Sequence, residues 1–229
     1  APCRAVGHIL ACSQSDADKL RLLRHETPVT VIPNAIEVAH YRETDLPPVN
    51  LPHPALVFTG KMDFRPNVDA ALWFAEAILP HIQEAIPEAH LVIVGMHPHP
   101  RLDPLRERRG ITITGEVPDI RPYIREADLY VTPLRMGSGT RFKLLQAMAM
   151  GKAIVSTRIG AEGLPVEDGR HLLLADEPES FAGAVVGLLH DAPRAETLGK
   201  QGAMLVSEHF DWPGIIPRVE AIYRQASTG

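Results

Sequence analysis

An α/β fold on a doubly wound parallel sheet is predicted by three features of this chain. Short apolar runs alternate with amphipathic stretches from residue 55 onward. The runs at 55–59, 90–95 and 153–157 are almost continuously apolar, the pattern of strands covered on both faces. The runs close on Gly60, Gly95, Gly115, Pro133 and Thr157, and ligands of such sheets sit beyond the carboxyl ends of the strands.

The elements follow in order. Residues 7–12 form a short apolar run. An amphipathic helix is predicted to start at Ser15 and continue to Leu23, with Asp18 in capping-box position. Residues 29–32 read as a strand, stopped by Pro33 and Asn34. Residues 43–54 carry Pro47, Pro48, Pro52 and Pro54 among polar residues and read as a linker. After the strand at 55–59, apolar positions Val68, Leu72, Ala75, Leu79 and Ile82 predict one long helix over 67–86, with Asn67 as its cap. Pro80 is expected to kink or split it, because proline has no amide hydrogen to give. Strands at 90–95 and 111–115 come next, then a short helix over 120–127 with Pro122 in its first turn. A strand over 128–132, a glycine loop with its helix, and a strand over 153–157 follow. Helices at 179–190, 193–208 and 213–225 close the pattern.

Bulk properties narrow the function. A 229-residue chain with 45% apolar residues is long enough for one large domain and its core. The net charge of −5 argues against a nucleic-acid binder. No apolar run is long enough to span a membrane, and no secretory signal opens the chain. Cys3 and Cys12 are the two cysteines; they form no disulfide framework and fit a reducing compartment, with Cys12 expected to pack as a small apolar residue. No metal site is expected, since the eleven histidines show no ligand spacing. His97 and His99 fall in a proline-rich stretch expected to be an exposed loop. A start at Ala1 rather than at a methionine suggests a processed or truncated chain.

The most informative stretch, residues 137–151, reads G-S-G-T-R-F-K-L-L-Q-A-M-A-M-G. Its glycines let the backbone approach a ligand, and amides at a helix start can face an anion. Arg141 and Lys143 add positive charge. Gln146 follows Lys143 at i+3 on the same helix face. Phosphates at one end of a ligand and hydroxyls at the other suit this order, as in a nucleotide sugar. An ordinary strand-to-helix turn capped by Thr140 fits the same residues.

This stretch resembles the donor-binding signature of family 4 retaining glycosyltransferases, in particular a bacterial group reading G-G-G-T-R-x-K-x-L-E-A-M-A-x-G. The resemblance runs from about Val29 to Trp212, with Ile32-Pro33-Asn34-Ala35 matching an I-P-N-G hinge. It implies a GT-B architecture of two Rossmann-like domains, of which this chain is the C-terminal, donor-binding one. Residues 1–42 then correspond to a remnant of the N-terminal acceptor domain with the hinge, 43–54 to the linker, and 55–229 to the Rossmann-like donor domain.

The resemblance also assigns roles. Gly137, Ser138, Gly139 and Thr140 become the backbone cradle of the donor diphosphate. Lys143, with Arg141, Lys61 and Arg65, supplies positive charge for a diphosphate whose negative charge grows as it leaves. Gly60 marks the close turn before Lys61. Gly115 and Val117 belong to a loop whose main chain reads the nucleobase, and Glu162 belongs to a block near the donor sugar. Gln146 takes the place of a glutamate that holds the ribose hydroxyls; glutamine offers one acceptor and one donor instead. Ser138 stands where many relatives carry the first glutamate of an E-x7-E pair, the one that faces the donor sugar, Gln146 being at the place of the second.

The implied function is hexosyl transfer from a nucleotide diphosphate sugar, UDP- or GDP-linked, with retention and without a metal or other cofactor. The implied partners are the donor, an acceptor of unknown class (saccharide, lipid-linked or small molecule) and a missing N-terminal domain, second chain or further copy of this one. The implied location is the cytoplasm or the inner membrane face. A non-catalytic nucleotide or nucleotide-sugar binding module, degenerate or truncated, and a compact transferase completed by oligomerisation remain as alternatives. The apolar side of the last helix, with Trp212, Ile216 and Tyr223, is expected to favour self-association.

Overall fold

A computed structural model describes residues 7–23, 27–137, 139 and 141–227. Six strands form one parallel sheet: β3 (Ala55–Thr59), β4 (His90–Val94), β5 (Ile111–Ile113), β6 (Leu129–Thr132), β7 (Ile154–Ser156) and β8 (Leu173–Leu174). Their spatial order is β5-β4-β3-β6-β7-β8, with every neighbouring pair parallel. The order reverses between β3 and β6, and a crevice opens at such a switch point.

Both faces of the sheet are covered. Leu56 and Phe58 of β3 point into a core shared with Phe74, Phe181 and Val185. Ala55 and Val57, one residue out of step, point into a second core with Leu144, Met148 and Val206. This period-two alternation between two buried faces explains why the strands are apolar without a polar side. The first layer is built by α3 (Arg65–Trp73), α4 (Leu79–Ala85) and α7 (Pro178–His190). The second is built by α5 (Arg121–Glu126), α6 (Phe142–Ala149) and α8 (Ala192–His209).

The expected long helix is divided. A π-turn over Phe74–Ile78 separates α3 from α4, and Pro80 lies in the first turn of α4. The missing proline N–H and its ring cannot be accommodated by a regular α-ladder, and a π-turn absorbs the mismatch. Helix α3 also begins earlier than expected, with Phe64 rather than Asn67 at the cap position. A 3₁₀ helix over Pro100–Glu107 and the two-residue β8 are additions to the sequence reading.

A small parallel pair, β1 (Ile9–Ala11) with β2 (Val29–Val31), stands apart from the main sheet. Helix α1 (Gln14–Leu23) connects the two strands. Its N-terminal cap is Ser13, not Ser15: the Ser13 hydroxyl accepts from the Asp16 amide at 3.1 Å and donates to the Asp16 carboxylate at 2.7 Å. Cys12 is exposed rather than packed. The short helix α2 (Val38–Tyr41) and residues 42–54 lead into β3. This latter stretch lacks regular structure but is fastened to the domain. Arg125 donates to the carbonyls of Thr44, Leu46 and Pro47, and Leu46 and Leu51 are buried. The last helix, α9 (Trp212–Ser227), leaves Trp212, Ile216 and Tyr223 exposed and buries Ile215. Among the described residues no helix is long and apolar enough to cross a membrane.

Candidate functional site

A cleft of about 460 Å³ opens beyond the carboxyl ends of β3, β4 and β6. The loop after β3 supplies Gly60, Lys61 and Phe64; the loop after β4 supplies Gly95 and Met96; the loop after β5 supplies Glu116 and Val117. Helix α6 supplies Phe142, Lys143 and Gln146 on one face, as their spacing requires.

Two of these loops lie against each other. The Gly60 amide donates to the Val94 carbonyl, and the Met62 amide to the Met96 carbonyl at 2.8 Å. A Cβ on Gly95 would fall 1.7 Å from the Gly60 carbonyl oxygen, so no larger residue fits the approach. A Cβ on Gly60 would fall 2.8 Å from Lys143 Nζ and 2.7 Å from Asn67 Nδ2. Glycine at 60 therefore leaves room for the central cation of the cleft.

That cation is held from two sides. Lys143 Nζ donates to Asn67 Oδ1 at 2.7 Å and sits 4.2 Å from the centroid of the Phe58 ring. Asn67 in turn donates from Nδ2 to the Lys61 carbonyl at 2.9 Å. Asn67 thus works through its side chain inside the first turn of α3, not as the helix cap. Burial, reinforced by the nearby Arg141 charge, pushes the Lys143 ammonium down to about 7 from its ordinary 10.5. Near neutrality this lysine is poised between its two protonation states.

Arg141 occupies the cap position of α6 and is only 8% exposed. Its Nε and Nη2 donate to the Ile159 carbonyl, and Nη2 lies 3.8 Å from the Glu162 carboxylate. Burial pushes its proton affinity below the usual guanidinium range, and Glu162 opposes that shift. Glu162 is exposed and stands at the Arg141 side, outside the cleft wall. Gln146 lies one turn beyond Lys143, with Nε2 donating to the Tyr41 hydroxyl at 2.8 Å.

The remaining expected residues divide. Lys61 lines the cleft and pairs with Asp63 at 3.3 Å. Val117 lines it as well, while Gly115 stands just behind, its carbonyl accepting from the Gly95 amide at 3.1 Å. Gly137 and Gly139 have φ of 123° and 84°, a region that favours glycine. Ser138 and Thr140 lie outside the described residues. Arg65 is set apart: it is exposed and lines a neighbouring hollow with Asp63, Val68, His99 and Arg101. Helix α3 starts at Arg65, and the next two residues, Pro66 and Asn67, take the positions that face the cleft. Asn67, Tyr41 and the apolar rim of Phe64, Met96 and Phe142 had no sequence signal as site residues.

The profile of the group 1 glycosyl transferases matches residues 53–191, the segment that holds the sheet through β8 and this cleft. The chain belongs to the group 1 glycosyl transferases. Within this family, a phosphatidyl-myo-inositol mannosyltransferase of Mycolicibacterium smegmatis is 27% identical over 210 residues, 86% of this chain and 52% of that protein. The chain thus spans about half the length of the curated relatives it matches. Among solved structures, Anabaena HepE in complex with UDP superposes with a TM-score of 0.76 at 16% identity, over 96% of this chain and 64% of that one. A glycosyltransferase from Rickettsia africae ESF-5 gives 0.74 at 15% identity, over 96% and 63%. These likenesses establish the fold as that of GT-B glycosyltransferases, with an α/β parallel sheet.

Proposed function

We propose that this chain is the donor-binding half of a family 4 retaining hexosyltransferase that takes a nucleotide diphosphate sugar, UDP- or GDP-linked. The observation that carries the reading is the seat of Lys143. It is a cation at the floor of the cleft, fixed by Asn67 and Phe58, with glycine at 60 leaving space beside it. A diphosphate placed there meets Lys143 and Lys61, with Gly137 and Gly139 just ahead of α6. As the sugar departs, negative charge accumulates on the diphosphate, and a protonated Lys143 stabilises it. Gln146, one turn further, faces the ribose, and the chain around Glu116 and Val117 faces the base. Arg141 lines the sugar end, with Glu162 beside it on the outside of the wall. The charge in the cleft comes from side chains, so the reading needs no metal or other cofactor.

Transfer needs both substrates in reacting geometry, so the site for the acceptor, of unstated class, is supplied by a further domain, a second chain or another copy of this one. The UDP in HepE and the mannosyl transfer named for the mycobacterial relative support this reading. The neutral Gln146 favours a second reading, a module that binds the nucleotide sugar without transferring it.

Calorimetric titration of UDP and GDP tests the donor site. Lys143→Met is expected to weaken the nucleotide that binds on the order of ten- to a hundredfold, the loss of one charge-assisted hydrogen bond. Equal binding by native and variant chains removes Lys143 from the site. Release of free hexose or transfer to added saccharides separates the transferase from the binding module.

A further inference from the structure

Gln146 is held by a residue far from it in sequence. Its Nε2 donates to the Tyr41 hydroxyl at 2.8 Å, across 105 positions. Tyr41 is the last residue of α2 and is fixed there. The Val38 amide donates to Asp211 Oδ1 at 3.2 Å, and Arg121 Nη1 donates to the His40 carbonyl at 2.8 Å. The Tyr41 ring meets His40 edge-on, with centroids 5.3 Å apart, and packs against the core beneath α6. The hydroxyl is thus presented from a braced helix rather than from a loose loop.

This contact decides what Gln146 offers a ligand. A primary amide has one carbonyl acceptor and one NH2 donor. With Nε2 committed to Tyr41, the carbonyl Oε1 has no hydrogen-bond partner among the described residues, and Gln146 lines the cleft. A free glutamine rotates among many conformers and offers donor or acceptor at random, so fixing it lowers the entropic cost of each bond it makes.

We propose that Tyr41 is a positioning residue that locks the Gln146 amide so that its carbonyl accepts a hydrogen bond from a ribose hydroxyl of the bound nucleotide. This rests on the donor-site reading above and deepens it. The ligand class is a ribonucleoside diphosphate, distinguished from its deoxy counterparts by an acceptor aimed at the sugar.

The test compares native chain and Tyr41→Phe for binding of UDP and GDP, each beside its 2′,3′-dideoxy form, by calorimetry. Phenylalanine keeps the ring and its packing and removes only the hydroxyl. The native chain is expected to prefer the ribonucleotide on the order of tenfold, the value of one hydrogen bond to a buried partner. In Tyr41→Phe that preference is expected to fall toward unity, with affinity for the dideoxy form unchanged. A variant that loses affinity for both forms alike, with its preference intact, overturns the proposal and leaves Tyr41 a packing residue. A native chain that binds both forms equally overturns it at Gln146. No binding of any nucleotide by the native chain overturns the donor-site reading itself.

Discussion

At the scale of single residues, the protonation of Lys143 links the cleft to stability. Its ammonium titrates near 7 in the fold against 10.5 in the open chain, because burial disfavours the charge. Between those values the unfolded chain binds more protons than the folded one. Stability therefore rises with pH through that window, and the penalty is fully present below it. Urea unfolding of the native chain at a series of pH values is expected to show this rise. Lys143→Met is expected to flatten it and to be the more stable chain at and below neutral pH. A variant whose stability tracks pH as the native chain does would place the titrating group elsewhere. Binding tests the same linkage from the other side. On the donor-site proposal a diphosphate bound beside Lys143 would return its proton, so titrations at pH 8 in buffers of different ionisation enthalpy should report proton uptake in the native chain and none in Lys143→Met.

At the scale of elements, the central strands were readable because β3, β4, β6 and β7 are buried on both faces, whereas the half-buried, two-residue β8 at the edge carried no such run. The π-turn followed from one proline at position 80. What escaped was set by contacts between elements. Asn67 looks like a cap in sequence, yet Phe64 opens the helix and Asn67 turns to Lys143. The run 137–146 pointed to the cleft because Arg141, Lys143 and Gln146 stand close together in sequence, whereas Tyr41 reaches Gln146 only through the fold. Arg65, next to Pro66 in sequence, lies outside the cleft because α3 turns it toward another surface. The crossing of the β3 and β4 loops gives a prediction at this scale. Gly95→Ala would drive a methyl group to 1.7 Å from the Gly60 carbonyl, a main-chain collision that no rotamer relieves. It is expected to cost on the order of 3 kcal/mol in chemical denaturation. It should also weaken nucleotide binding, since the displaced Gly60 loop carries Lys61 and abuts Lys143. Gly183→Ala, where a Cβ meets nothing within 4 Å, is the matched control on α7; it should leave nucleotide binding unchanged and raise stability by about 0.5–1 kcal/mol, the helix gain of alanine over glycine.

At the scale of the whole molecule, two units of unequal weight are joined by a strap. Among the described residues β1 and β2 pair only with each other, and α1 packs chiefly on them. Up to Asn34 the described residues bury few apolar side chains, Ala11 and Ala17, while both large cores draw on residues from 36 onward. The strap belongs to the larger unit. Ile36 bridges to Asp211, Arg121 ties Glu43 and Asp119, and Arg125 holds the carbonyls that follow. A chain that begins at Ala35 should therefore keep the six-stranded unit, the strap and Tyr41. Its thermal midpoint by circular dichroism is expected within about 5 °C of the longer chain's, since the segment removed packs mainly on itself. Its nucleotide affinity should be unchanged, because every residue that lines the cleft lies beyond the cut. The hollow lined by Cys12, Val31, Pro33, Leu164, Phe210 and Arg218 would open to solvent, and Arg218 would no longer reach the Val31 carbonyl. A shortened chain that melts without cooperativity would mean that this small sheet supports α9 and, through Asp211, the strap that carries Tyr41. In that case ribose preference and stability would fall together, whereas an independent donor unit keeps both.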